Sequence, residues 1–237
     1  MGIPGTSSQE PVVVERAEGH GGELVLRRAA DGHHEIISNG VFLMDTRNGE
    51  SERLLVREAV RGLAAPARVL IGGLGVGFSL REALRLPQVS HVRVVEREPA
   101  VVAWHRGGPL APCSGGALDD PRVRVELGDL VGWLAPPPGA GRGAPERFDV
   151  ACLDIDNGPE WTVTPGNARL YGPQGLESLR GRLTARGVLA VWSAGAAPAF
   201  EGLLRERFAH VQALPVPVPR GEPDVVYLAR DEPAPPV

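Results

Sequence analysis

The sequence contains only two cysteines, Cys113 and Cys152, and they lie far apart in the chain. Two such thiols form no disulfide framework and lack the spacing of metal ligands. The six histidines show no ligand spacing either, so the sequence predicts no metal site. Cys152 lies within the apolar run from Phe148 to Leu153, and we expect it to be a buried thiol of the core.

Three further features are absent, and together they narrow the class of protein. No run rich in lysine or arginine occurs and the formal net charge is −4, which argues against a nucleic-acid partner. No apolar stretch approaches the roughly 20 residues that cross a bilayer. Met1 to Glu10 lacks the basic start and apolar core of a secretory signal. We therefore expect a soluble cytoplasmic protein that acts on a small-molecule substrate, with no nucleic-acid and no membrane partner.

The first part of the chain predicts a small β domain. The 237 residues, 43% of them apolar, are enough for one α/β core plus a small appendage. Residues 1–22 are rich in glycine, serine, proline and glutamate, and we expect a loose tail there. Within residues 23–65, β-rich runs flank the turn dipeptides Asp31–Gly32 and Asn39–Gly40. A helical pattern follows over residues 51–63, so this segment predicts an antiparallel meander with a linking helix.

Residues 66–230 repeat a different rhythm, in which an apolar strand, a glycine-containing turn and a helix follow one another. The strands predicted in this segment lie at 68–73, 91–96, 123–127, 148–154, 187–193, 209–216 and 224–229. Alternation of strands and helices of these lengths indicates an α/β fold with a doubly wound, largely parallel sheet. Residues 136–146 are predicted to be a surface loop, and residues 231–237 a tail.

A glycine-rich turn stands where the first of these parallel strands is predicted to end. Its glycines are Gly72, Gly73, Gly75 and Gly77. Glycine permits a positive φ angle and lets the backbone approach a ligand closely, so the turn is a candidate cofactor site. A purely structural turn is the alternative. An apolar strand before the turn and a helical pattern after it favour the cofactor.

Two carboxylates follow the next two strands, and they indicate which cofactor the turn binds. Glu96 ends the second strand, where it can accept both hydroxyls of a ribose, although a charge at a helix start is the alternative. Asp129 follows the third strand and suits the exocyclic amine of adenine in methyltransferase-type folds. Dinucleotide sites usually carry GxGxxG, whereas the spacing from Gly73 is GxGxG. The pattern therefore favours an adenosyl sulfonium cofactor of the S-adenosyl-L-methionine type.

The fourth strand is followed by an acidic segment that is a candidate reaction site. Asp154, Asp156 and Glu160 cluster there, at the edge where ligands of open α/β sheets bind. An amine must lose its proton before it attacks a sulfonium carbon, so a base at this place is useful. We assign that role to Asp156, with Asp154 holding the cofactor or the loop and Glu160 near the substrate. A solvated acidic loop is the alternative.

Two aromatic residues flank the segment that comes next. Trp161 and Tyr171 are candidates to wall the substrate pocket or to stack on a cationic or aromatic substrate. Packing in the core explains either of them equally well.

Several linked motifs resemble one known family. They are VLIGGLGVGFSLREAL, VVEREP, DDPRVRVELGD, FDVACLDIDNGP and LYGPQGLESLRGRLTARGVLAVW, with SNGVFLMDTRNGESERLL upstream. Over roughly residues 23–230 the chain resembles the spermidine synthase (polyamine aminopropyltransferase) family, within the class I S-adenosylmethionine-dependent methyltransferase fold. The resemblance implies a seven-stranded, Rossmann-like, methyltransferase-type sheet behind a small N-terminal β-hairpin domain. That family is often dimeric, so the resemblance also implies a homodimer.

The resemblance assigns roles to the candidate residues. It implies that the last three glycines of the turn cradle the amino-acid or aminopropyl end of the cofactor. Glu96 would bind the ribose, Asp129 the adenine amine, and Asp154 would lie beside the sulfonium.

Departures from the family pattern decide between the reactions that this scaffold supports. The aspartate that grips the aminopropyl amine inside the family's glycine turn is replaced by Gly75 or Val76. The Tyr-His-Glu signature of the first helix is not matched, although Glu52 lies nearby, and the family's Asp-Ser-Ser-Asp-Pro stretch is replaced by residues 154–159. We therefore expect methyl transfer from S-adenosyl-L-methionine to a small molecule, with amines among the candidate acceptors. Aminopropyl transfer from the decarboxylated cofactor to a diamine is the first alternative, and a non-catalytic cofactor-binding partner subunit is the second.

Overall fold

The computed structural model describes residues 10–135 and 145–232 of the chain. Its strands are β1 Val12–Gly19, β2 Gly22–Arg28, β3 His34–Ser38, β4 Val41–Asp45, β5 Ala67–Gly72, β6 Val89–Glu96, β7 Val123–Leu127, β8 Phe148–Leu153, β9 Leu183–Ser193, β10 His210–Val216 and β11 Asp224–Arg230. Its α-helices are α1 Glu50–Val60, α2 Phe78–Arg85, α3 Pro99–His105, α4 Ala111–Ser114, α5 Leu130–Leu134, α6 Ala168–Tyr171, α7 Pro173–Gly181 and α8 Pro198–Arg205. Short 3₁₀ turns cover Ala117–Asp119 and Pro165–Asn167.

The strands form two sheets. Strands β1 to β4 make an antiparallel four-stranded sheet, and the other seven form a sheet with the order β10-β11-β9-β8-β5-β6-β7. In the larger sheet β5 to β9 run parallel, while β11 is antiparallel to β9 and β10 is antiparallel to β11. The predicted fold, a doubly wound seven-stranded methyltransferase-type sheet with a small N-terminal β unit, is confirmed.

The N-terminal sheet extends further toward the start of the chain than the sequence predicts. Residues 12–19, expected to belong to a loose tail, form β1, which pairs antiparallel with β2 from Val12 with Arg28 to Gly19 with Gly22. The three valines at 12–14 favour an extended strand because β-branched side chains suit the pleated backbone. The rest of the expected tail, residues 1–9, lies outside the described residues, as does most of the predicted 136–146 loop and residues 233–237.

The larger sheet is buried on both faces, which explains the continuous apolar strands. In β5, Val69 and Ile71 join one core cluster, with side chains of α1, α2 and α3, whereas Leu70 joins the other, with side chains of α7 and α8. Cys152 of β8 is buried as the sequence predicts. Successive residues of a strand point to opposite faces of the sheet, and both faces are covered here, so consecutive residues must be apolar. The resulting rigid sheet fixes the positions of the loops at its edge.

The order of the strands creates a crevice at that edge. From β5 the chain adds β6 and β7 on one side, then returns to add β8 and β9 on the other. Ligands of open α/β sheets bind at such a reversal, outside the carboxyl ends of the strands. Here the reversal lies between the glycine turn after β5 and the acidic segment after β8. Within the two described ranges, no helix is both long and apolar enough to cross a membrane.

Candidate active site

A cavity of about 610 Å³ lies at the reversal of strand order. Its walls come from four places: strands β2 to β4 of the small sheet, the start of α1, the loops after β5, β6, β7 and β8, and the end of β9 with the segment that joins β10 to β11. Its volume falls in the ~300–1,000 Å³ range typical of small-molecule sites. The small sheet therefore covers the crevice that the larger sheet opens.

The glycine turn contributes two of its four glycines to the cavity wall. Gly73 and Gly75 line the cavity, whereas the predicted site residues Gly72 and Gly77 do not. Gly72 still belongs to β5, and a Cβ there would meet the side chain of Leu130. Gly77 precedes α2 and donates its N–H to the Leu74 carbonyl at 2.9 Å. These two glycines shape the turn without lining the cavity, and their contact with a cofactor stays a prediction.

Gly73 is the position where the turn most clearly requires glycine. Its φ angle is +88°, and a Cβ would lie within 3.0 Å of the Asp154 backbone oxygen. The end of β5 and the end of β8 therefore touch backbone to backbone. This close approach holds the glycine turn beside the acidic segment.

Glu96 is buried at the end of β6, lines the cavity, and braces the glycine turn. Its Oε2 accepts the N–H of Leu74 and its Oε1 accepts the N–H of Glu98, each at 2.7 Å. Burial raises the pKa of this carboxyl, and the two amide donors act in the opposite direction. Each carboxylate oxygen has a further lone pair, so the predicted bonds to ribose hydroxyls are compatible with this bracing.

Asp129 lines the same cavity one strand further along. It is the N-cap of α5, and its Oδ1 accepts the N–H of Val131 at 2.7 Å. An N-cap bond fixes the side chain while leaving the carboxylate with additional acceptor sites. The structure thus places Glu96 and Asp129 at the ends of adjacent strands, as their predicted roles at one nucleoside require.

Asp154 and Asp156 follow β8 and both line the cavity. Asp154 Oδ2 accepts the Ser79 hydroxyl at 2.8 Å. Burial, with a smaller contribution from Asp224, raises its pKa to about 6. Asp156 has a φ angle of +53° and accepts an amide bond from Asn167 at 2.9 Å. Burial also raises the pKa of Asp156, so both carboxyls are shifted toward the range of a useful base.

Glu160 and Tyr171, predicted to contact the substrate, do not line the cavity. The exposed Glu160 accepts the N–H of Ala199 at 3.1 Å, beside the start of α8. Tyr171 is buried, its ring lies edge-on to Phe200 at 5.7 Å, and its hydroxyl donates to the Ile155 carbonyl at 3.1 Å. Tyr171 is thus a core residue that supports the acidic segment, and the structure places neither Glu160 nor Tyr171 at the cavity.

Trp161 does lie at the cavity, at its rim. Its side chain lines the opening and remains 59% exposed. An indole that is open to solvent at a cavity mouth is available to a ligand, unlike one that is packed in the core. The predicted substrate role of Trp161 is therefore still a prediction, now with a location.

Curated relatives are similar in sequence over most of this chain, although no protein-family model matches it. Polyamine aminopropyltransferase 1 of Streptomyces coelicolor is 32% identical over 189 residues, which are 79% of this chain and 32% of that protein. Polyamine aminopropyltransferase of Mycobacterium tuberculosis is also 32% identical over 189 residues, 78% of this chain and 33% of that protein. The chain thus spans about a third of the length of the curated relatives it matches.

Solved structures share the fold. A spermidine synthase in complex with the transition-state analogue AdoDATO matches with a TM-score of 0.74 and 19% identity, over 93% of this chain and 74% of that chain. Spermidine synthase from Thermotoga maritima matches with a TM-score of 0.73 and 18% identity, over 93% and 73%. Human methyltransferase-like protein 13 in complex with SAH matches with a TM-score of 0.58 and 20% identity, over 77% and 80%.

The chain is thus related over most of its length to polyamine aminopropyltransferases, and it has the spermidine-synthase-like, methyltransferase-type fold.

Three polar residues that the sequence did not mark as site residues also line the cavity of this spermidine-synthase-like chain, namely Ser51, Glu52 and Asp224. Burial raises the pKa of Glu52 to about 8, with Asp154 as the next contribution, and burial also raises the pKa of Asp224. Glu52 had a signal, because it lies beside the family's helix signature. Asp224 had no such signal in the sequence. It begins the antiparallel strand β11, and the residues that surround it are known only once the whole chain has folded.

Ser51 joins the other two residues. Its hydroxyl oxygen lies 2.7 Å from Asp224 Oδ2 and 2.9 Å from Glu52 Oε2. A hydroxyl carries a single proton, so it can donate to only one of the two carboxyls. The second contact is a hydrogen bond only if the other carboxyl is protonated. The geometry of this bridge agrees with the raised pKa values of both acids.

The cavity of the spermidine-synthase-like chain is strongly acidic. The carboxylates along its wall are Asp45, Glu52, Glu96, Glu98, Asp129, Asp154, Asp156, Glu222 and Asp224. Among the described residues that line it, the cations are Arg97 and Arg220. Even with Glu52 protonated at neutral pH, the acids outnumber the two arginines and create a negative potential that favours cationic ligands.

Proposed function

We propose that this chain transfers the aminopropyl group of decarboxylated S-adenosylmethionine to an amine acceptor. The acidity of the cavity wall, with nine carboxylates and two guanidinium groups, is the observation that carries this proposal. The sequence alone favoured methyl transfer from ordinary S-adenosylmethionine. The curated relatives are named polyamine aminopropyltransferases, which supports the reaction that the sequence placed second.

Charge distinguishes the two donors in this cavity. Ordinary S-adenosylmethionine carries a carboxylate on its tail, and that group would be added to an already negative wall. The decarboxylated donor has a sulfonium and an ammonium, and an amine acceptor is also cationic before it reacts. Interactions between charges strengthen when water is excluded. The acidic wall therefore disfavours the extra carboxylate most strongly where the bound donor has displaced water.

The order of the strands supports a division of the cavity between donor and acceptor. Glu96 and Asp129 follow β6 and β7, on one side of the reversal, and we assign the nucleoside to them. Asp156 follows β8 and Asp224 begins β11, on the other side, and we assign the amine to that side. Gly73 and Asp154 lie between the two, where the sulfur would be placed.

The residues assigned to the acceptor side have the chemistry that the transfer needs. When bound, the donor supplies a sulfonium as the leaving group. The neutral amine nitrogen forms a bond to the aminopropyl carbon as the carbon–sulfur bond breaks, and that electron pair stays on sulfur in a neutral thioether nucleoside. Asp156 takes the proton of the attacking amine, and Asp154 orients the reacting groups. Positioning accounts for most of the remaining catalysis.

Product analysis tests the proposal. The protein is incubated with putrescine and either sulfonium donor, and the products are identified by mass spectrometry. We expect an aminopropylated diamine and 5′-methylthioadenosine from the decarboxylated donor, a large loss with Asp156→Asn, and none with Asp119→Asn, which is exposed away from the cavity. A methylated product from ordinary S-adenosylmethionine would favour methyl transfer. Binding without turnover of either donor would favour the non-catalytic alternative.

A further inference from the structure

Met44 of the small sheet lies directly on Gly75 of the glycine turn. A Cβ at Gly75 would come within 3.0 Å of the Met44 sulfur and 2.9 Å from its methyl carbon, closer than real Cβ atoms approach such groups. The thioether, at the end of a flexible side chain, therefore occupies in this structure the space in which a side chain at position 75 would stand. Both residues line the cavity, so the contact forms part of its wall.

Because of this contact, the turn presents no charged side chain at the place where the aminopropyl tail of the donor is expected. Gly75 has no side chain, and the group that covers it is an uncharged, weakly accepting thioether. An ammonium that lost its water there would gain no charged partner in return. The turn itself is therefore a poor binding site for the tail.

The packing of two helices places a carboxylate, that of Glu52, in the wall of the same cavity. Gly49, just before α1, lies so close to the ring of Phe78 at the start of α2 that a Cβ on it would fall within 3.0 Å of the ring. Ser79 of α2 lies 3.4 Å from the backbone oxygen of Glu52 and donates to Asp154. The first turns of the two helices are thus in contact, and Glu52 is buried there in the cavity wall.

We propose that Met44, resting on Gly75, closes the glycine turn to the ammonium of the donor's aminopropyl tail, and that Glu52 binds this ammonium instead. The inference rests on the proposed aminopropyl transfer and makes Met44 and Glu52 specificity-determining residues for its donor. An ammonium beside Glu52 gives this buried carboxyl an opposite charge. Among the described residues, Arg57 of the same helix and Arg85 pair with Glu82 and not with Glu52.

Binding of two nucleosides tests the role of Glu52. Decarboxylated S-adenosylmethionine carries the tail ammonium, whereas 5′-methylthioadenosine has the same adenosine and sulfur without it. We expect Glu52→Gln to lower the affinity for decarboxylated S-adenosylmethionine about tenfold, as for loss of one charge-assisted hydrogen bond. The affinity for 5′-methylthioadenosine should fall by less than about twofold. Glu50→Gln is the matched control, because Glu50 is exposed on the same helix and does not line the cavity.

A second pair of variants tests the role of Met44. Met44→Ala with Gly75→Asp makes room at the turn and places a carboxylate there. In that background we expect Glu52→Gln to lower the affinity for the decarboxylated donor by less than about threefold, because the new aspartate binds the ammonium in place of Glu52. Binding of 5′-methylthioadenosine shows in each variant that the nucleoside site is intact.

Three results would overturn the inference. The first is an equal loss of affinity for both ligands in Glu52→Gln, and the second is an unchanged affinity for both. The third is a Glu52→Gln loss that is unchanged in the Met44→Ala, Gly75→Asp background. In all three the wild-type protein still binds the donor, so the proposed transfer stands. A wild-type protein that binds neither nucleoside would instead overturn the proposed function together with this inference.

Discussion

At the scale of single residues, Glu96 connects the turn to the expected ribose. Removing its carboxylate in Glu96→Ala also removes the acceptor for two backbone amides, those of Leu74 and Glu98. We expect nucleoside binding to weaken by on the order of 1–3 kcal/mol, from the lost charge-assisted hydrogen bonds. Titration calorimetry with 5′-methylthioadenosine measures this loss, and an unchanged affinity would mean that the ribose binds elsewhere.

The buried carboxyl groups predict how stability depends on pH. Burial raises the pKa of Asp154 to about 6 and that of Glu52 to about 8, so the folded protein holds these protons more tightly than the unfolded chain. Their contribution to stability is complete below about pH 4, where the unfolded carboxyls are also protonated, and is lost as the pH rises through 6 and 8.

Melting curves of the ligand-free protein between about pH 5 and pH 9 check this dependence. Glu52→Gln has no proton to lose, so we expect its melting temperature to fall less than that of the wild type as the pH rises. Glu50→Gln is the control and should follow the wild type. Parallel curves for the wild type and Glu52→Gln would contradict the assignment of a raised pKa to Glu52.

The position of several site residues could be predicted from the sequence because of one geometric rule. Glu96, Asp129, Asp154 and Asp156 each follow a parallel strand, and the carboxyl ends of parallel strands share one edge of the sheet. Their location in one cavity agrees with that prediction, while their individual roles remain proposals. Tyr171 could not be assigned in this way, because its orientation depends on packing against α8 and its ring neighbour.

At the scale of elements, the contact between the ends of β5 and β8 predicts a special cost at Gly73. Gly73 and Gly32 share a φ angle of +88°, but only Gly73 has atoms near the position of a Cβ, whereas Gly32 has none within 4 Å. An alanine at either position meets the strain of a left-handed backbone, about 1–2 kcal/mol. Only Gly73→Ala must also push apart two strand ends.

Urea unfolding of the two variants separates these contributions. We expect Gly32→Ala to lower the free energy of unfolding by about the strain alone, and Gly73→Ala to lower it by at least a further ~1–3 kcal/mol, with loss of nucleoside binding. Equal losses in the two variants would contradict the close approach of Gly73 to Asp154.

The elements themselves differ in how far local sequence determines them. Strands β5 and β8 are mostly apolar runs, and β6 carries four valines among polar residues, so the pattern predicts all three well. Strand β1 carries exposed valines beside charged residues, and the glycine and glutamate around it hid its strand character. Its pairing with β2 supplies the hydrogen bonds that make it a strand, and such pairing is not visible in a local window.

At the scale of the whole molecule, the net charge conceals the property that matters most for function. The formal charge of −4 is small for 237 residues, yet nine of the acidic residues lie in the lining of one cavity. Composition cannot reveal this, because the acids come from both sheets, from α1 and from loops distant in sequence. The rhythm of strands and helices, by contrast, predicted the seven-stranded sheet, since each element is encoded locally.

The central claim, that the cavity takes the decarboxylated donor, is tested most directly by titration calorimetry of the wild-type protein with the two sulfonium nucleosides under identical conditions. We expect decarboxylated S-adenosylmethionine to bind at least about tenfold more tightly than S-adenosylmethionine, because only the latter adds a carboxylate to the acidic wall. Equal affinities, or tighter binding of S-adenosylmethionine, would contradict the account.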